Sequence, residues 1–362
     1  MLTEEVTYLD MKRIEEINWR HFELLKFFSY RKGNQKKMNA LSIGKTPLVS
    51  AKKIENGYKG FYSVVQDEIF NGHCITLNND GDGGAGLAFY QPASFALDTH
   101  VTALYPLVPM TKYVMLFIAS CISKQRILFG HGRSINTTRL NHLNIMLPCS
   151  DNQSPDYAFM EKYMKQKEKK LLTKYKDYLH MRGQIFLNGG ETKECQWKEF
   201  DIKEVFTNIV RGRRLKTDDH IAGSMPYVSS SAIDNGVDDF VSNNEGVRIF
   251  SQCLTIANSG SVGATFYHPY SFVASDHVTS LANDKMNKYV YLFISTIAKG
   301  MSGNYSFNRE IKDSRIQREK IMLPITDDNR PDYDYMGSYM RKVEYRLLNR
   351  YIDKRLKQLN EE

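Results

Sequence analysis

Residues 155–182 read PDYAFMEKYMKQKEKKLLTKYKDYLHMR, and residues 331–359 read PDYDYMGSYMRKVEYRLLNRYIDKRLKQL. In the first stretch Tyr157, Met164, Leu171 and Tyr178 recur every seven residues, and Met160, Leu172, Tyr175 and Leu179 widen the stripe. Such spacing keeps an apolar band on one helical face, and no Gly or Pro interrupts it before Gly183. Ser154 is placed to cap the helix, Pro155 suits its first position, and Asp156 sits against the positive end of the dipole. A helix of this extent runs about 40 Å at about 1.5 Å per residue, which suits a strut better than a core element. The second stretch has the same PDY opening and carries Met336, Met340, Val343 and Leu347 on its stripe. Two matching struts predict two matching halves.

The halves are visible directly. Trp19 and Trp197 lie 178 apart, TPLVSAKKIENG (46–57) aligns with MPYVSSSAIDNG (225–236) at 179, and IMLP (145–148) returns at 321–324, an offset of 176. FYQPASF (89–95) matches FYHPYSF (266–272), and His100-Val101-Thr102 matches His277-Val278-Thr279. A nearly constant offset over most of the chain marks a tandem duplication. The expected organisation is an N-terminal segment 1–18, a globular domain 19–154, a helix 155–183, a second domain 184–330 with a short linker, and a second helix 331–362. The fold class expected is α+β. Each domain is mixed α/β, with short strand-like runs (CITL, GLAFY, HVTALYPL; CLTIA, ATFYH, HVTSL) between Asn/Gly turns, then a helix at 112–124 or 288–299. The pairs Asn56-Gly57 and Asn235-Gly236 mark hairpin turns.

Composition narrows the class. The chain has 362 residues, 42% hydrophobic and 25% charged, with 22 Tyr and 19 Phe, enough for two domains with cores of their own. No apolar run approaches the ~20 residues a membrane span needs, and the N-terminus has no signal-peptide core, so a cytoplasmic protein is expected. Cys74, Cys121, Cys149, Cys195 and Cys253 form no C-x-x-C pair and read as reduced thiols rather than a zinc site. A net charge of +8 favours a polyanionic partner.

Several motifs suggest chemistry and fail on inspection. NNDGDGGAG (78–86) lies between two strand-like runs rather than before a helix, so it reads as a tight hairpin and not as a phosphate cradle. Gly44-Lys45-Thr46 lacks the rest of a phosphate-binding loop. Pro155-Asp156 with Glu168-Lys169-Lys170 mimics a metal-dependent nuclease, yet two carboxylates twelve residues apart on one helix stand about 18 Å apart. His100 and His277 read as satisfied histidines at strand edges. No adenine-methylation signature appears. The expectation is a non-catalytic chain with no metal and no cofactor.

The polar positions are more informative. Arg211, Arg213, Arg214 and Lys216 crowd one loop, and Arg31, Lys32, Lys36 and Lys37 crowd the matching one; the plain reading is a solvated face, the functional one phosphate contact. Loops that follow a shared framework differ in chemistry: Ser50, Lys52 and Lys53 against Ser229, Ser230 and Ser231, and Asn79 and Asp80 against Asn258, Ser259 and Ser261. The segments 129–139 and 302–315, with Arg133, Arg139 and Arg309, differ likewise. Shared framework with divergent polar loops is what two readers of different DNA sequences require.

Taken together, the PLVS/PYVSSS strand with its NG turn, the T-x-x-N-x-G…FY-x-P loop, the IMLP-to-helix passage and the paired struts resemble the specificity subunits of Type I restriction–modification systems and their Type IIB relatives. The likeness runs from Trp19 to Leu359. It implies two target-recognition domains held apart by an antiparallel coiled-coil pair of helices, each domain reading one half of a split site in double-stranded DNA. It also implies DNA methyltransferase subunits, two per chain, docked on the assembly, with a restriction or translocase subunit as an optional further partner. Tyr157, Met160, Met164, Leu171, Tyr178, Met336, Met340 and Leu347 are the expected helix-packing residues. The alternatives from other classes are a stand-alone methyltransferase or nuclease and a coiled-coil adaptor with no DNA role.

Overall fold

A computed structural model describes residues 14–35, 41–80, 84–129, 132–187, 195–300, 311 and 313–361. The chain divides into two compact units, Met1–Leu172 and Thr173–Glu362, the division falling inside a long helix.

In the first unit the strands are β1 (Trp19–Glu23), β2 (Phe28–Lys32), β3 (Ile43–Val49), β4 (Tyr58–Tyr62), β5 (Ile69–Phe70), β6 (Cys74–Asn78), β7 (Ala88–Gln91), β8 (Phe95–Leu97) and β9 (Val101–Pro106). Helices α1 (Lys112–Lys124) and α2 (Thr137–Asn141), strand β10 (Asn144–Pro148) and the long helix α3 (Tyr157–Leu187) follow. Two four-stranded sheets, ordered β2-β9-β6-β7 and β4-β3-β8-β5, are accompanied by a β1-β10 ribbon, and β3 pairs with β8 in parallel.

The second unit repeats this order. It comprises β11 (Trp197–Asp201), α4 (Ile202–Val205), β12 (Asn208–Arg211), β13 (Ala222–Val228), β14 (Val237–Val241), β15 (Ile249–Phe250), β16 (Cys253–Ala257), β17 (Thr265–His268), β18 (Phe272–Ala274) and β19 (Val278–Ala282). Helices α5 (Lys288–Gly300) and α6 (Asp313–Ile316), strand β20 (Lys320–Pro324) and helix α7 (Tyr333–Glu361) complete it. Its sheets are β12-β19-β16-β17 and β14-β13-β18-β15, with a β11-β20 ribbon and β13-β18 parallel.

The central strands β6 and β16 are buried along their whole length, so even their polar residues Thr76, Asn78 and Thr255 lie inside the fold. Ile75 and Leu77 of β6 pack with Val114, Ile118 and Ile122 of α1 and Met160 of α3. Leu254, Ile256, Val290, Ile294 and Met336 form the counterpart. Gly33 and Gly212 show why the repeat is so strict. A Cβ on either would stand 1.9 Å and 2.1 Å from the carbonyl oxygens of Asp98 and Ser275.

The long helices are anchored identically. Trp19 stacks on Phe117 (centroids 6.2 Å), which meets Tyr163 edge-on at 5.6 Å; Trp197 stacks on Phe293 (6.1 Å), which meets Tyr339 edge-on at 5.6 Å. Tyr113 donates to Glu168 at 2.7 Å, and Tyr289 to Glu344 at 2.8 Å.

Three expectations about the helices are corrected. The caps are Asp156 and Asp332, whose carboxylates accept from the amides of Phe159 (2.9 Å) and Tyr335 (2.8 Å); the Ser154 hydroxyl instead bonds Asn152 and Ser150. α3 also does not stop at Gly183. It continues to Leu187, and at Gly183 the Tyr345 ring packs 2.4 Å from where a Cβ would stand. Finally, Leu171 (67% exposed), Leu347 (57%) and Tyr178 (45%) are left exposed among the described residues, whereas Met160 and Met336 are fully buried and Tyr157, Met164 and Met340 pack against the cores. The globular core of each unit covers only the opening turns of its helix, and a seven-residue stripe drifts about 20° per repeat around a straight helix.

Within the second unit, the end of α3 runs antiparallel to α7. Lys176 pairs with Asp353 at 2.7 Å, and one or two turns further on His180 faces the Tyr345 hydroxyl at 3.4 Å.

Candidate nucleic-acid interface

In each unit the β3–β4 (or β13–β14) connection, the glycine loop after the central strand and the start of β9 (or β19) converge. The Asn-Gly pairs do not form two-residue hairpins. They close eight-residue connections, 50–57 and 229–236, in which the Ser50 amide donates to Gly57 and the Ser229 amide to Gly236, both at 2.9 Å. Asn56 and Asn235 adopt left-handed backbone (φ 54° and 55°), a conformation Asn tolerates better than most side chains. The Asp98 amide then donates to Val49 at 3.0 Å, and the Ser275 amide to Val228 at 2.9 Å, so the next strand starts beside the connection.

An open cleft results in both units. The first, about 480 Å³, is lined by Ser50, Ala51, Lys52, Lys59, Asp80, Asp98 and His100. The second, about 620 Å³, has Arg214, Lys216, Ser229, Ser230, Asp238, Asp276 and His277 among its walls. His100 and His277 hold equivalent places with different partners. His100 Nδ1 meets the Asp80 carboxylate at 2.8 and 3.0 Å, while His277 Nδ1 meets the Ser259 hydroxyl at 2.6 Å. The hydrogen bond that His100 donates to the Asp80 carboxylate holds the His100 pKa above its ordinary value, favouring the imidazolium.

Beneath the clefts the two units agree. Asn79 and Asn258, expected as DNA donors, are buried framework residues. Their side-chain carbonyls accept from Thr102 (2.8 Å) and Thr279 (3.0 Å), and their backbone carbonyls from Ile135 (2.7 Å) and Ile311 (3.0 Å). A polar residue near a glycine turn is as apt for tying strands together as for meeting a ligand. Gln91 donates to the Thr76 hydroxyl at 3.0 Å, and buried His268 takes its place against Thr255 at 2.8 Å, with burial pushing its pKa down to about 4. Cys74, buried in the central strand, has its thiol pushed up to about 12 by the same effect, as befits an inert core residue.

The other expected contact residues are distributed as follows. Lys52 is held by Glu55 and by the Tyr58 carbonyl at 3.1 Å, whereas Lys53 is exposed and without a partner among the described residues. Lys32 donates to Thr137 at 2.7 Å; Arg31 lies 4.1 Å from the centre of the Phe70 ring. Arg133 is exposed, and Arg139 donates to the Ser134 carbonyl at 2.6 Å. In the second unit the cluster splits: Arg211 donates to the Asp276 carbonyl, while Arg213, Arg214 and Lys216 are exposed. Ser231 bonds the backbone of Ile233, and the Ser261 amide donates to the Ser230 carbonyl at 3.1 Å. Lys36, Lys37 and Arg309 lie outside the described residues.

The structure adds residues that the sequence reading passed over. Lys59 and Asp238, equivalent in the repeat, both line a cleft. The signal available was their opposite charge at one aligned position. The two carboxylates of the nuclease-like motif are accounted for structurally, Asp156 as helix cap and Glu168 as acceptor for Tyr113.

A doubled scaffold with one cation-bearing cleft per copy and matching long helices defines a tandem recognition module. The family model described as Type I restriction modification DNA specificity domain matches residues 16–175 and 194–350, and the chain belongs to that family. It is a DNA-sequence recognition subunit. The chain is similar to the specificity subunit S.BcgI of a type II restriction enzyme from Heyndrickxia coagulans, 28% identical over 313 residues, covering 85% of this chain and 89% of that one. It is also similar to a Mycoplasma pneumoniae protein named as a type I specificity subunit, at 24% identity over 242 residues, 64% of this chain and 63% of the relative. A solved S subunit of a Type I restriction–modification system from M. genitalium matches at 16% identity, covering 97% of this chain and 94% of that one, with a TM-score of 0.36. Among the described residues no helix is long and apolar enough to cross a membrane.

Proposed function

We propose that each unit reads one half of a split site in double-stranded DNA, that the long helices set the gap between the halves and carry DNA methyltransferase subunits, and that this chain performs no chemistry itself. The observation that carries the reading is the pair of equivalent clefts: the same buried frame supports rims of different charge, as two different half-sites would demand. Lys53, Arg133, Arg213, Arg214 and Lys216, exposed around these clefts and loops, supply phosphate contacts; Ser50, Lys52 and Asp80 line the first cleft, and Ser229 and Ser230 the second.

Two docked methyltransferase subunits per chain fit the helices. Leu171 and Tyr175 on α3, and Leu347 and Tyr351 on α7, are equivalent pairs one turn apart, and all four are exposed. Apolar pairs repeated at equivalent places are two copies of one docking surface. A restriction or translocase subunit would join through the methyltransferases.

The test is exchange of Trp197–Pro324 for the matching segment of a relative, followed by mapping of methylated sites in cells that supply the methyltransferase. One half of the recognised sequence should be rewritten and the other retained. Seven residues inserted into α3, about 10 Å of helix, should change only the gap, by roughly three base pairs at about 3.4 Å each. An exchange that altered both halves would mean joint reading and would end the split-site proposal.

A further inference from the structure

The clefts share a feature that pairing alone reveals. On β4 the register with β3 runs Pro47↔Phe61 and Leu48↔Gly60, then jumps to Val49↔Tyr58, leaving Lys59 as an extra residue. On β14 the register with β13 runs Pro226↔Phe240 and Tyr227↔Asp239, then jumps to Val228↔Val237, leaving Asp238 as an extra residue. Both copies therefore keep a β-bulge at the same place on an edge strand, and the bulged residue lines the cleft. Bulges bend a strand and re-aim a side chain, and they recur beside functional sites. Here the re-aimed side chain is a cation in one unit and an anion in the other.

The flanks do not differ in that way. Ile54 and Ile233, at 64% and 70% exposed, stand at equivalent places in the connections before the bulge, and Phe61 and Phe240 are exposed two residues after it. Along the chain each bulged charge thus lies between the same two exposed apolar residues, which shed water readily when a partner covers them.

From this arrangement we infer that Lys59 and Asp238 are the specificity-determining residues of their half-sites, meeting base edges rather than phosphates. The inference rests on the reading that each unit meets DNA, and goes beyond it in naming residue and base chemistry. An aspartate held against a phosphate chain would only be repelled. At a base edge in the major groove its carboxylate accepts from an exocyclic amino group, cytosine N4 foremost. The lysine at the same place donates to the guanine acceptors O6 and N7. One bulge with two opposite charges lets a duplicated scaffold read different bases without altering its frame.

The experiment uses the full chain assembled with its methyltransferase subunits, and a randomised DNA duplex library as the probe. Lys59→Gln and Asp238→Asn preserve shape at exposed positions, and unchanged thermal midpoints confirm folding. Each should relax selection at one position of one half-site, by roughly ten-fold in discrimination or more, leaving the other half-site intact. Asp238→Lys should shift the preferred base there to guanine. If Lys59→Gln instead weakens all sequences equally and lowers the salt slope by about 0.9, Lys59 is a phosphate contact and the inference fails. If Asp238→Asn strengthens all sequences equally, the carboxylate merely repels DNA, and the inference fails there too. Unchanged selection in both variants also overturns it. A wild-type assembly that selects no two-part sequence overturns the split-site reading itself, a result these variants cannot mimic.

Discussion

The two units share a set of buried polar and aromatic contacts, and they part company at the cleft surface. Thr102–Asn79 and Thr279–Asn258, Trp19–Phe117 and Trp197–Phe293, and Tyr113–Glu168 and Tyr289–Glu344 are one set of interactions built twice. At the cleft mouths, Asp80 becomes Ser259 beside the shared histidine, and Lys59 becomes Asp238 on the shared bulge. Packed interiors punish change, because each neighbour must yield for one side chain to grow, whereas exposed polar groups exchange at little cost. After duplication the frame is therefore held and the rim is free to diverge. The contrast can be broken at the frame, at one buried exchange, and at the surface.

The largest effect is expected at the frame. Gly33→Ala and Gly212→Ala each push a methyl into a backbone carbonyl that cannot step aside, since Asp98 and Ser275 also anchor the turns that start β9 and β19. Each substitution should cost about 3 kcal/mol or more, at the upper end for overpacking. Denaturant unfolding of the full chain checks it. Equal losses are the signature of an inherited frame; a loss in one unit alone would show that the copies have drifted apart beneath the surface.

Next comes the buried exchange of Gln91 for His268. Burial keeps His268 neutral in the folded chain, with its pKa pushed from 6.5 down to about 4. The unfolded chain takes up a proton below about pH 6.5, so the contribution is fully present above that pH and is lost as pH falls towards 4. The deficit is about 2 kcal/mol at pH 5. His268→Gln restores the residue used in the first unit and should remove this part of the acid sensitivity of the second. Unfolding midpoints at pH 7 and pH 5, compared between wild type and variant, decide it. An unaltered pH dependence would mean that the ring is already solvated.

Much of this was legible in the sequence, and the failures have physical causes. Helices 112–124 and 288–299 could be placed because their apolar faces, bounded by polar ends, are local signals; α1 is capped by Thr111, which accepts from Val114. The duplication was legible because frame residues recur at a steady offset. The bulges at Lys59 and Asp238 were not, since register belongs to two strands at once and neither strand alone records it. Asn79 and Asn258 were misread because a polar side chain near a glycine turn looks alike whether it ties strands or meets a ligand. Leu171 and Leu347 were expected to be buried because a heptad pattern states that a face is apolar, without stating what covers it.

The smallest effect is expected at the surface, where the arginine cluster offers its own comparison. Arg213 and Arg214 are exposed, whereas Arg211 ends β12, donates to the Asp276 carbonyl and presents its own carbonyl to Arg248 at 2.6 Å. Sequence alone makes the three equivalent; the hydrogen bonds separate them. Replacing Arg213 and Arg214 together with Ala should weaken binding to every duplex alike and flatten the dependence of binding on salt by about 0.9 per lost phosphate contact. Arg211→Ala should leave that slope alone and lower the stability of the second unit by about 1 kcal/mol, the net worth of a hydrogen bond of this kind. Titration of a fixed duplex across salt concentrations, with unfolding measured in parallel, distinguishes the two. If the slope falls for Arg211→Ala and not for the double variant, the assignments are reversed: the half-buried tether is the DNA contact, and the exposed pair is only a solvated face.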